Sequence, residues 1–242
     1  MPYLKEYIKN FIIDILPKSV VSELNRRYIS GMLFYFSQEG EDVLLDRIFN
    51  EKKNGFFVDV GAHHPLIYSN THKFFLRGWR GINIDATPGS MAPFKQMRHN
   101  DINLEIGISD SVEELNYYIF DVPALNTFSK ERAQFLQSNS HYKLINTVLV
   151  NTKPLKQVFE EYLPSNQNID FLSVDVEGLD YNVLLSNDWE LYRPYIVLIE
   201  EFDSSIDKIC RSNTCKFLNS KGYEFFSKTY NTVFFRDIQQ KS

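Results

Sequence analysis

The chain has 242 residues, of which 43% are hydrophobic and 24% charged, with a formal net charge of −5. That length buries a core without disulfide staples, and the composition excludes wholesale disorder and fibrous architectures. With 31 Asp+Glu against 26 Lys+Arg there is no general attraction for nucleic acid. Aromatic content is high at 15%. Cys210 and Cys215 are too few for a disulfide framework and wrongly spaced for CxxC; they read as thiols on one helix. No apolar run approaches the ~18 residues that span a bilayer. The N-terminal apolar stretch is broken by Lys9, Asn10 and Asp14, unlike a secretory leader, so the cytoplasm is the expected compartment.

Leu4, Tyr7, Ile8, Phe11, Ile12 and Ile15 fall at helical spacing, which predicts an amphipathic helix over 3–16, ended by Pro17. Residues 1–36 are therefore expected to form a helical extension, packed on the main domain or pairing two copies into a homodimer; a peripheral membrane contact is the other alternative, disfavoured by the few Lys/Arg on the polar face. From residue 37 to 242 strands and helices alternate. Ser37 can cap a helix over 38–49, with Glu41 and Asp42 in its early turns. Residues 55–60 read as a buried strand stopped by Gly61, residues 69–77 as a helix closed by Gly78, and residues 81–85 as a second strand. A helix follows around 93–98 and a third strand over 102–108, ending in Ser109-Asp110.

Residues 112–152 interrupt this rhythm with a strand (115–120), a helix (130–137) and a strand (144–150). This insertion is expected to lie over the carboxyl edge of the sheet as a substrate lid. Pro154 then opens a helix. Strands at 169–174 and 195–199 flank a helix at 179–185. A helix over 206–218 leads to a hairpin of 223–227 against 232–235. The pattern predicts an α/β fold: a mostly parallel sheet with helices on both faces and a C-terminal antiparallel hairpin.

Four strands end in acids or polar groups: Asp59, Asp85, Ser109-Asp110 and Asp175. In an open α/β sheet the ligand sits outside the carboxyl ends of the strands, so these groups should converge on one crevice. The first turn, Gly61-Ala62-His63-His64-Pro65, has one glycine and a proline without an N–H, a poor cradle for a pyrophosphate. It suits a phosphate-free ligand with a ribose and a cationic end, properties that S-adenosylmethionine has. Asp85 is placed to accept both ribose hydroxyls. Backbone N–H groups at Asn70-Thr71 are placed for a carboxylate, with plain helix capping as the alternative.

Ser37-Gln38-Glu39-Gly40-Glu41-Asp42, the segment from Val58 to Pro65, Ser69-Asn70-Thr71, Gly78-Trp79-Arg80-Gly81 and Asp175-Val176-Glu177-Gly178 occur in this order. Together they resemble the FkbM family of S-adenosylmethionine-dependent methyltransferases, over about residues 37 to 202. The resemblance implies a class I methyltransferase (Rossmann-like) sheet and O-methylation of a sugar or polyketide hydroxyl, in a setting such as polysaccharide biosynthesis. It also implies a cofactor site that includes Gln38, Asp59, Gly61, Ala62, Asn70, Thr71, Asp85, Ser109 and Asp110. One departure stands out: His63-His64-Pro65 occupies the place where the first turn often carries a second glycine.

Methyl transfer to a hydroxyl needs alignment and removal of a proton. Asp175, Glu177 and His64 are the candidate catalytic groups. Asp175 and Glu177 are also candidate ligands for a divalent cation that polarises the acceptor. His64 is preferred to His63 on turn geometry. Glu200-Glu201 ends the fifth strand, where like charges would raise a carboxyl pKa, although a solvated rim explains them equally well. Asn126-Thr127-Phe128-Ser129 is a substrate-loop candidate, and rings for carbohydrate stacking are sought at Tyr117, Tyr118, Phe128 and Tyr142. Two other classes compete: a non-catalytic sugar-binding protein on this fold, and an NAD-binding sugar-modifying enzyme, which the missing GxGxxG disfavours.

Overall fold

The structure, a computed structural model, describes residues 35–50, 52–202 and 205–240. The helix expected at 3–16 lies outside the described residues. In chain order the first half comprises α1 (Glu41–Phe49), β1 (Phe56–Val60), α2 (His72–Leu76), β2 (Arg80–Asp85), α3 (Met91–Met97) and β3 (Ile102–Glu105). An intervening region holds β4 (Gly107–Ile108), β5 (Glu114–Phe120), a 3-10 turn (Pro123–Leu125), α4 (Lys130–Asn139) and β6 (Leu144–Lys153). Then come α5 (Leu155–Tyr162), β7 (Phe171–Val174), α6 (Asp180–Leu185) and β8 (Ile196–Glu200). The last four elements are α7 (Ile206–Arg211), α8 (Asn213–Ser220), β9 (Tyr223–Lys228) and β10 (Thr232–Asp237).

The main sheet has seven strands in the order β3-β2-β1-β7-β8-β10-β9. It is parallel from β3 through β8, and β10 runs antiparallel to both β8 and β9. This is the expected mostly parallel α/β sheet with a C-terminal antiparallel hairpin. Every residue of β1 is buried, as a strand covered on both faces requires. On one face Phe56, Val58, Val60, Leu172, Val174 and Val197 pack against residues of α5 to α8. On the other, Phe57, Phe171, Ile196 and Leu198 pack against Leu45 and Phe49 of α1.

The second face takes up much of the aromatic excess. Phe49, Phe74, Trp79 and Phe171 stack edge-on or tilted with ring centroids 4.8 to 6.2 Å apart. Such pairs each add about 0.5–1.5 kcal/mol beyond their burial. Gly81 lies across Phe57 on the neighbouring strand, where any Cβ would overlap the ring.

Three expected boundaries shift for local reasons. The helix at 38–49 begins at Glu41, because Ser37 Oγ accepts from Gly40 N and Asp42 N and the chain turns at Gly40 with φ +90°. The third strand breaks at Ile106, and β4 leaves the main sheet to pair with β6. The helix at 206–218 is interrupted at Ser212, whose ψ of 160° ends α7 and whose hydroxyl caps α8 by accepting from Cys215 N. The two cysteines therefore sit on separate helices, Cys210 exposed and Cys215 buried.

The region at 112–152 forms a small sheet, β4-β6-β5, backed by α4 through Phe120, Ala133 and Leu136. It borders the carboxyl edge of the main sheet, where Tyr117, Asn126 and Phe128 line a cleft together with Gly61 and Asp85. No helix among the described residues is long and apolar enough to cross a membrane.

Candidate active site

β1 is the point where strand order reverses. The chain steps outward through β2 and β3 on one side, then returns to lay β7 along the other edge of β1. Open α/β sheets hold ligands in the crevice at such a switch point. Gly61 leaves β1 with φ +86°, and its N–H and that of Ala62 donate to Ile84 O at 2.9 and 3.0 Å. Asp175 N donates to Val60 O at 2.9 Å, which brings the Asp175 carbonyl so close that a Cβ on residue 61 would overlap it. Glycine is required there twice over, by conformation and by space. A cleft of about 360 Å³ opens above this turn.

Asp85 forms one bank. It is 7% exposed, and its two oxygens each accept a backbone N–H, from His63 at 2.9 Å and from Thr87 at 2.8 Å. Each oxygen keeps a lone pair for a ligand. Beside it, Thr87 Oγ1 lies 3.0 Å from Tyr117 Oη and accepts from Asn126 Nδ2 at 3.2 Å, tying the intervening region to this rim.

Three carboxylates form the other bank. Asp175, Glu177 and Glu200 each bring an oxygen within 4.8 Å of the other two. Burial pushes the Asp175 and Glu200 carboxyls well above the usual range, and each is pushed further by the charge of its acidic neighbours. Side by side, each carboxyl favours its protonated form. Glu200 Oε2 is buried without a hydrogen-bond partner among the described residues. Burial also raises Glu177, against the pull of Arg132, whose Nη2 donates to Glu177 Oε2 at 3.1 Å. Thr127 Oγ1 donates to Glu177 O at 2.7 Å and holds a backbone with φ +54°.

A buried ionic layer supports the turn from behind. Arg98 is fully buried, donates to Thr71 Oγ1 at 2.9 Å and pairs with Asp101 at 3.0 Å. Thr71 Oγ1 donates to Asp59 Oδ2 at 3.2 Å. Burial pushes the Asp59 carboxyl up to about 6, against the pull of Arg98.

Gln38, Gly61, Asp85, Asp175 and Glu177 all line the cleft. Asp59 and Thr71 lie beneath it. Ala62 is buried against Met91 and Phe94, and Asn70 donates to Ser173 Oγ at 3.0 Å. Three expected placements are corrected. His63, not His64, is on the cleft wall. His64 Nδ1 accepts from Leu66 N and Ile67 N, which leaves its other nitrogen protonated and without a basic lone pair. Ser109 and Asp110 lie off the cleft, whose wall here is Ile106, Gly107 and Ile108, because β4 turns toward β6; Asp110 is exposed. Tyr118 packs toward Phe120 beneath α4, whereas Tyr117, Phe128 and Tyr142 line the cleft. Arg132 and Thr87 are additions that the sequence pattern did not mark, and of the two alternatives for Glu200 the inward one holds, since it lines the cleft with a raised carboxyl pKa.

The sequence matches the methyltransferase FkbM domain over residues 59–225, so the Ser37–Asp42 motif lies outside the matched span. No curated protein sequence matches the chain. Among solved structures it is similar to an O-methyltransferase from Bacillus cereus in complex with SAH, at 11% identity and a TM-score of 0.43, covering 97% of this chain and 98% of that one. With more than half its length matched, the chain belongs to the methyltransferase FkbM domain family.

Proposed function

We propose that this protein is an S-adenosylmethionine-dependent O-methyltransferase whose acceptor is a hydroxyl of a sugar or polysaccharide precursor. The observation that carries the reading is the opposition, across one cleft, of Asp85 and the bank of Asp175, Glu177 and Glu200. The residues present fit the cofactor. Asp85 offers two fixed oxygens to a ribose diol, Gly61 gives the close backbone approach, and the surrounding acids suit a cationic sulfonium. Gln38 and His63 also line the cleft and would border the amino-acid end. When bound, the cofactor supplies an electrophilic methyl group to the acceptor oxygen, with cleavage of its carbon–sulfur bond.

The remaining work belongs to the protein. An aliphatic hydroxyl must be aligned and must lose its proton as the new bond forms. The ionised member of the Asp175–Glu200 pair accepts that proton, and the partner's proton keeps the pair's charge tolerable in a buried setting. Glu177, held by Arg132 and Thr127 at the cleft wall, would serve as an orienting acceptor for the same hydroxyl. His64 has no part in this reading. The cleft-lining rings of Phe128, Tyr142 and Phe202 are what carbohydrate recognition uses and support a sugar acceptor.

The same three carboxylates favour a second reading, in which a divalent cation takes the place of the shared proton. Asp175, Glu177 and Glu200 would hold it as hard oxygen ligands, and it would lower the pKa of the acceptor hydroxyl. Transfer of a radiolabelled methyl group from S-adenosylmethionine to a panel of unmethylated glycosides, with and without a chelator, tests both. Labelled product that survives the chelator supports the proton pair, and product lost with it supports the cation. Cofactor binding without transfer to any acceptor would turn the reading toward a non-catalytic binding protein.

A further inference from the structure

The segment ahead of α1 is fixed far more firmly than a connecting loop needs. Three carboxylates within four residues all serve as acceptors. Asp42, fully buried, accepts from Phe36 N at 2.9 Å and from Ser37 Oγ at 2.8 Å. Glu41 accepts from Glu39 N at 2.9 Å and from Thr232 Oγ1 at 3.1 Å. Glu39 reaches across to the β9–β10 turn, where its two oxygens accept from Asn231 N at 2.6 Å and from Asn231 Nδ2 at 2.9 Å. Thr229 Oγ1 stands between the two glutamates, 3.0 Å from Glu39 and 2.9 Å from Glu41.

The tip of that turn is itself tied to the active-site bank. Asn231 O accepts from Glu201 N at 2.8 Å, next in the chain to Glu200. The C-terminal hairpin thus links the proton-handling end of β8 to a loop that starts before β1. Of residues 36–40 only Gln38 lines the cleft, and its amide makes no hydrogen bond among the described residues. An amide carries both donors and an acceptor, the pair of functions that an amino-acid end presents as carboxylate and ammonium.

We propose that Glu39 and Asn231 are positioning residues for the cofactor: the two-point grip of Glu39 on the hairpin tip holds the adjacent Gln38 over the amino-acid end of S-adenosylmethionine. The inference rests on the cleft being the site of that cofactor, as proposed above. A loop already ordered in the free protein does not have to be ordered at binding, so the grip appears as affinity.

The test is calorimetric titration of the full chain with S-adenosylhomocysteine, for the wild type, Gln38→Ala, Glu39→Ala, Glu39→Gln and the double variant Gln38→Ala/Glu39→Ala. Each alanine change alone weakens binding about tenfold, and the double variant binds no more weakly than Gln38→Ala, because Glu39 acts through Gln38. Glu39→Gln keeps one acceptor oxygen for Asn231 and falls between. Asn231→Ala removes only the side-chain half of the grip; it weakens binding about threefold, and not at all when Gln38 is already alanine. Wild-type affinity in Glu39→Ala, or losses that multiply in the double variant, overturns the positioning role while leaving the cofactor site intact. A wild-type chain that does not bind S-adenosylhomocysteine overturns the cofactor reading and this inference with it.

Discussion

Asp175 and Glu200 stand side by side at the carboxyl ends of adjacent parallel strands, one step beyond the Val174–Ile199 pair, with oxygens within 4.8 Å of one another. Two carboxyls so placed disfavour each other's ionisation. The β7–β8 pairing therefore builds a carboxyl pair that binds protons more tightly than either group alone.

From this pairing, Asp175→Asn should abolish turnover while leaving the cofactor bound. Loss of a general base lowers the rate by about 10²–10⁴-fold. Affinity for S-adenosylhomocysteine should stay within a few-fold of wild type. Glu200→Gln should reproduce both effects. Normal turnover by either variant would remove the pair from the mechanism.

Asp85→Ala should do the reverse and remove binding itself. Hydrogen bonds from ribose hydroxyls to a charged acceptor contribute about 1.5–3 kcal/mol each, so losing two weakens the cofactor by at least about a hundredfold. Asp85→Asn, which keeps one acceptor oxygen, should lose less. Titration with S-adenosylhomocysteine checks both.

Much of this arrangement is legible in sequence because strand ends are. The short apolar runs before Asp59, Asp85 and Asp175 fix the carboxyl edge, and the two runs at 223–227 and 232–235 fix the hairpin. What stays hidden depends on contacts between distant segments. Glu200 looks like one of two rim acids until β8 pairs with β7 and turns it toward Asp175. His63 and His64 are indistinguishable until φ +52° at His63 decides which ring meets the cleft. Asp110 leaves the crevice because β4 finds a partner in β6, and Arg98 looks like an ordinary helix end although it is the buried cation beneath the turn. Ser212 breaks a continuous amphipathic pattern with a single extended residue.

Asp59 makes stability respond to pH in a stated direction. Its carboxyl is raised from 3.8 to about 6, so the folded state binds this proton more tightly than the unfolded chain. The associated stability is complete below 3.8 and lost as pH rises through about 6. His72 works in the opposite sense, since burial lowers it to about 4 and stability falls as it gains a proton. Comparison with Asp59→Asn isolates the first effect. The thermal midpoint of the wild type minus that of the variant should grow between about pH 7.5 and 5. A constant difference would show that Asp59 does not titrate as described.

Gly61→Ala should damage fold and binding together. The residue sits at φ +86° and a Cβ would overlap the Asp175 carbonyl. The left-handed conformation alone costs about 1–2 kcal/mol, and the overlap forces β1 and β7 apart at the cleft. A lowered thermal midpoint and lost S-adenosylhomocysteine binding are expected in the same variant. Unchanged behaviour in both measurements would contradict the close approach of the two turns.

We propose that the cleft at the β1–β7 switch point binds S-adenosylmethionine. Isothermal titration of the wild-type chain with this cofactor tests it most directly. One equivalent bound, and displaced by S-adenosylhomocysteine, is the predicted result. Heat no greater than that of dilution, with each of the two ligands, would contradict it.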